Sequence, residues 1–162
     1  MKNNLMIAAS FVALTVSRAI AGIADSPLPV LLPGSTTVHL YSVVGAMGGS
    51  GLGTYFSCTS TDTVPIQVGV ELFDSTGGSP SNDAVTSSRS VDPGGTVVFG
   101  TVSAAGIPVD STLGILGHGS ARILATSRKL VCNAFVADRL NTPVTVAWQL
   151  TIIAKTKQKA SN

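Results

Sequence analysis

Leu130-Val131-Cys132-Asn133-Ala134-Phe135-Val136-Ala137 runs for eight positions without a glycine, a proline or a charge. Leu130, Cys132, Ala134 and Val136 fall on one face at the two-residue period of a strand. Val131, Phe135 and Ala137 make the opposite face largely apolar too, which suits an interior strand covered on both sides. The stretch carries one of only two cysteines, so a covalent tie to a second strand would start here.

The flanking sequence repeats the pattern. Upstream, Ala121–Thr126 is a strand candidate separated from Leu130 by Ser127–Lys129. Downstream, Asn141-Thr142-Pro143 marks a turn before Val144–Ile153, whose Val144, Val146, Trp148, Leu150 and Ile152 share one face. That alternation predicts a half-buried strand. Further back, Thr36–Val44, Thr54–Thr59, Ile66–Phe73, Val85–Ser90 and Thr96–Val102 read as strands, with Val85–Ser90 short and at an edge. Ile66, Val68, Val70 and Leu72 point inward, and Gln67, Gly69 and Glu71 outward. Asp74–Asp83 and Asp92-Pro93-Gly94-Gly95 are turn chemistry. Ala104–Gly119, with four glycines and a proline, reads as a long connection. No stretch of residues 22–162 keeps a 3.6-residue period.

Seven or eight short strands, one core and no helix predict an all-β fold, a single antiparallel β-sandwich over residues 36–154. A small closed barrel is the alternative. Cys58 and Cys132 would form one inter-strand disulfide, closing a loop of about 75 residues. Their wide separation on two inward faces resembles the inter-sheet bridge of immunoglobulin-like domains. The likeness is partial, since Trp148 lies on the last strand and Leu130 stands where a tyrosine would precede the second cysteine.

Residues 1–21 read as a secretory signal peptide: Lys2, an apolar run over Leu5–Val16, then Ala19-Ile20-Ala21 with small residues at the −3 and −1 positions. Ala24 offers an alternative end. The apolar run is shorter than the roughly 20 residues of a spanning helix. Cleavage after Ala21 removes Lys2 and Arg18, leaving 141 residues with eight basic and eight acidic side chains. Zero net charge argues against nucleic acid as a partner. Secretion also fits the paired cysteines. Residues 22–35 form an N-terminal segment, and 155–162 a basic polar tail with Lys155, Lys157 and Lys159.

Tyr55-Phe56-Ser57-Cys58-Thr59, Val68–Asp74, Ala121–Ser127 and Lys155-Thr156-Lys157-Gln158-Lys159 together resemble a set of short secreted bacterial β-sandwich proteins without assigned function. The likeness spans roughly residues 54–159. It implies a secreted bacterial sandwich and carries over no catalytic or binding residue.

Candidate chemistry is thin. His39 and His118 are the only side chains that titrate near neutrality without a large shift. His39 lies in a strand and reads as a satisfied strand residue; His118 sits in the flexible Gly117-His118-Gly119-Ser120. No Gly-x-Ser-x-Gly elbow occurs, and no catalytic residue is assigned. The run Gly45–Gly53 lacks the Gly-Lys-Ser/Thr ending of a phosphate loop. Asp74, Asn82 and Asp83 bracket a loop with oxygens suited to Ca²⁺, but at no EF-hand spacing. No metal or cofactor is assigned.

Two functions fit. The first is a non-enzymatic structural or assembly component of the bacterial cell exterior, with itself or other cell-surface proteins as partner. Its charged fraction of only 11% and its Gly, Ala, Ser, Thr and Val content suit that role. The second is an extracellular ligand- or glycan-binding module using loops 45–53, 74–83 and 104–119. Charge is unevenly spread along the chain: residues 22–110 carry seven acids and one base, 111–162 seven bases and one acid. If the two halves occupied different surfaces, molecules would associate head to tail.

Overall fold

The computed structural model describes residues 22–24 and 26–155. The expected signal peptide, Asp25 and the tail beyond Lys155 lie outside them.

Ten strands and one helical turn make up the described chain: β1 (Val38–Ala46), β2 (Leu52–Ser60), β3 (Ile66–Asp74), α1 (Ala84–Ser87), β4 (Arg89–Val91), β5 (Thr96–Gly100), β6 (Ser111–Thr112), β7 (Gly119–Ala125), β8 (Leu130–Asp138), β9 (Ala147–Gln149) and β10 (Ile152–Ala154). They form two five-stranded sheets, ordered β10-β1-β7-β3-β4 and β6-β5-β2-β8-β9. All pairings are antiparallel except β5 with β6.

The inward faces meet in one apolar cluster. Val43, Val68, Val70 and Ile123 come from the first sheet, and Phe56, Cys58, Val97, Phe99 and Ala134 from the second. The inward set expected of Ile66–Phe73 is the observed one: Ile66, Val68, Val70 and Leu72 are all buried here. Phe56 and Phe99 lie directly opposite in register and are both fully buried. Each such side chain contributes about 1.5–3 kcal/mol by leaving water.

Cys58 and Cys132 are joined as expected, but within one sheet. β2 and β8 are direct neighbours, and the two cysteines face each other in register with Cα atoms 4.1 Å apart. The bridge therefore staples adjacent strands and does not span the core. Sequence separation reports how long a loop is closed, not which sheets are tied.

Other expectations change for local reasons. Val85–Ser90 divides into α1 and the edge strand β4. Asp83 starts the helical turn, accepting from the Val85 amide at 2.9 Å and the Thr86 amide at 3.4 Å, and a capped start competes with strand propensity. The connection 104–119 contains β6, which gives β5 a parallel partner. Val144–Ile153 is not one strand. It crosses from the edge of the second sheet (β9) to the edge of the first (β10). Leu150 and Ile152 still pack on the core, whereas Trp148 at the edge is 47% exposed. Within β8, Val131 is 60% exposed, so the outward face is covered only toward Ala137.

Ile23, Ser26, Pro27 and Leu31 of the N-terminal segment lie against the outer face of the first sheet, at Arg122 and Leu124. Leu31 packs with Ala84 and Leu124 in a second small cluster. Gly69 makes this possible: a Cβ there would sit 2.9 Å from Leu31 Cδ2 and 3.2 Å from the Ala84 carbonyl. Any larger residue would push the segment off.

Candidate functional site

The three loops singled out in sequence come together at one end of the molecule. Ala46 closing β1, Gly119 opening β7 and Asp74 closing β3 are neighbours across the first sheet. The loops leaving these strands therefore share that end. The Gly48 amide donates to the Leu116 carbonyl, locking the glycine loop to the segment before β7. Residues Met47–Leu52 and Gly117 line an open groove of about 440 Å³. His118 is exposed beside it.

The remaining loop, 75–83, turns back along β3. The Asn82 side chain accepts from the Leu72 amide at 2.7 Å and donates to the Val70 carbonyl at 2.9 Å. It thereby occupies backbone groups of β3 that would otherwise be unpaired. Asp74 accepts from the Thr76 hydroxyl and amide, and these bonds lower its pKa. Asp83 is held low by the Thr86 hydroxyl and then by the Val85 and Thr86 amides. The oxygens considered for Ca²⁺ are thus spent on separate local turns, and no cluster of three or more His, Cys, Asp or Glu suited to a metal occurs among the described residues.

His39 is 8% exposed, and its Nε2 lies 3.1 Å from both the Tyr41 carbonyl and the Ser42 hydroxyl. Burial, with the charges of Lys155 and Arg122, pushes its pKa below the usual imidazole value. It remains neutral in the strand and is poorly placed to act as a base.

The most consequential polar group escaped the sequence reading. Arg122 on β7 is fully buried and pairs through Nε with Glu71, its register partner on β3. Its Nη1 donates to the Ser26 carbonyl at 2.9 Å and the Ile23 carbonyl at 3.4 Å, and Nη2 to the Pro27 carbonyl at 3.0 Å. The Phe73 ring lies 5.2 Å from the guanidinium carbon. Alternation places Glu71 and Arg122 outward, which normally means solvent. Here outward means under the N-terminal segment. Leu124, an apolar residue on the same outer face as Arg122, was the sequence signal for that cover.

Strand pairing brings the two charge sets together among the described residues. β7 and β8, from the basic half, lie beside β1, β3 and β2, from the acidic half. Glu71 with Arg122 and Asp62 with Lys129 are ion pairs between halves. Among the described residues, strands of the two halves therefore lie side by side within each sheet and do not occupy separate sheets. Asp62 is held down to about 2 by the Ser127 hydroxyl first, then the Thr63 amide and Lys129. Asp138 is likewise held to about 2, chiefly by the Thr145 hydroxyl and then by the amides of Val146, Thr145 and Asn141.

No family model, curated protein or solved structure matches the chain.

Proposed function

We propose that the chain is a secreted, non-enzymatic β-sandwich protein of Ig-like strand order that serves as a structural or assembly component of the bacterial cell exterior. The order β1-β7-β3 in one sheet and β2-β8-β9 in the other corresponds to B-E-D and C-F-G of an immunoglobulin domain. Four strands depart from it: β10 takes the edge beside β1, β4 the edge beside β3, and β5 joins beside β2 with β6 beyond it.

One observation carries the assembly reading. The outer face of the first sheet is covered at Arg122 and Leu124 by Ile23, Ser26, Pro27 and Leu31, but that of the second is open over Thr96, Val131 and Asn133. Ser57, Thr59, Val98 and Phe135 continue this face, and none of its residues is charged. An uncharged sheet face can be desolvated against a like surface without stranding a charge. The edges suit this role less, because β4, β6, β9 and β10 are each only two or three residues long.

Native mass spectrometry of the exported protein across a concentration series tests this reading. Oligomers that Val131→Glu dissolves support it; a monomer throughout refutes it. N-terminal sequencing tests secretion: a start at Gly22 or Asp25 supports it and an intact Met1 refutes it. A second reading, a ligand- or glycan-binding module, is favoured by the convergence of loops 45–53 and 113–118. A glycan array separates it from the first.

A further inference from the structure

The buried guanidinium of Arg122 meets the start of the N-terminal segment through main-chain carbonyls. Arg122 is fully buried, and its Nη atoms donate to the carbonyls of Ile23, Ser26 and Pro27. Pro27 has no N–H to offer a neighbouring strand, so ladder pairing does not hold the chain at that position. A turn holds it instead. The Ser26 amide and hydroxyl both donate to the Gly22 carbonyl, at 3.0 and 2.8 Å. Ser26 is only 6% exposed, so water is a poor substitute for that acceptor.

This turn bears on where the exported chain starts. The sequence offers two ends for the signal peptide, Ala21 and Ala24, which differ by Gly22-Ile23-Ala24. A chain beginning at Gly22 keeps every contact above. A chain beginning at Asp25 lacks the Gly22 and Ile23 carbonyls. Two buried donors of Ser26 then lose their shared acceptor, and Arg122 loses one of its three carbonyls. Losing the partner of a buried donor costs more than the bond itself is worth, because the donor stays desolvated.

We propose that Gly22-Ile23-Ala24 belong to the mature protein: processing falls after Ala21, and these residues form the terminal turn that closes the site of Arg122. The signal peptide is removed from a chain not yet folded, and the fold then discriminates between the products. A chain cut after Ala24 carries a looser N-terminal segment, and proteolysis acts on such open states in proportion to their population. The form beginning at Gly22 is the one that persists. This deepens the secretion reading above and rests on it.

Intact-mass measurement and N-terminal sequencing of the exported protein, recovered from cells making the full precursor, are the first test. One species beginning at Gly22 is expected. A start at Asp25, alone or in comparable amount with Gly22, overturns the proposal and leaves secretion standing. An unprocessed Met1 overturns the secretion reading and this proposal with it. The second test addresses the turn. A precursor lacking Gly22, Ile23 and Ala24 retains Ala19-Ile20-Ala21 and yields a mature chain beginning at Asp25. Added protease should cut this chain within residues 26–35 about tenfold faster than wild type, with cleavage elsewhere unchanged. Where that precursor is not processed, Ser26→Ala keeps the chain length, removes the hydroxyl donor and should speed the same cleavage about threefold. Rates equal to wild type in the variants overturn the proposal.

Discussion

Replacing Glu71 with leucine should destabilise the fold more than any other single change to a polar side chain. Leucine fills much of the space of the glutamate stem but leaves Arg122 charged, fully buried and without its carboxylate. The carbonyls of Ile23, Ser26 and Pro27 remain as acceptors, yet none carries a full negative charge. Removing one member of a buried pair costs about 3–5 kcal/mol. For a domain of this size that corresponds to a fall in Tm of about 10–20 °C. Glu71→Leu combined with Arg122→Met should recover much of the loss, since the stranded charge is gone. The double variant still lacks the donors that hold residues 23–27, so it should show faster proteolysis of that segment at near-normal global stability. Urea denaturation with the disulfide intact measures the first quantity, and limited proteolysis with mass readout the second. A Glu71→Leu variant within about 1 kcal/mol of wild type would refute the reasoning. It would mean that Arg122 reaches water or another anion.

Replacing both Cys58 and Cys132 with alanine should lower stability by a few kcal/mol, with about 4 kcal/mol as the chain-entropy ceiling for a sequence separation of 74; an unchanged urea midpoint would contradict this. Asp138 gives an acid-sensitive turn. Its folded pKa of about 2 lies below the ordinary 3.8, so its stabilisation is complete above about pH 4 and is lost as pH falls through 2. Asp138→Asn should flatten the stability profile over that window, and a profile identical to wild type would count against it. Gly69→Ala should cost about 1–3 kcal/mol by crowding Leu31 and the Ala84 carbonyl. Leu31→Ala should then be less harmful in the Gly69→Ala background than alone, as a double-mutant cycle would show.

The sequence by itself determined where the long strands run and which of their faces meets the core. Ile66–Phe73 and Leu130–Ala137 were legible because apolar residues at every second position have one economical placement, against a core. Asp92-Pro93-Gly94-Gly95 was legible because Pro93 fixes φ and Gly94 takes a φ of +75°. The disulfide partners followed from there being two cysteines. The tertiary structure alone decided that these two lie on neighbouring strands, that Val144–Ile153 divides between sheet edges, and that the outward pair Glu71 and Arg122 is buried. It also set Arg139 beside the glycine loop while Asp138 is occupied elsewhere. Local pattern specifies which face a residue takes. It does not specify what the chain later lays over that face, because strand order and the path of residues 22–35 depend on contacts between segments far apart in sequence.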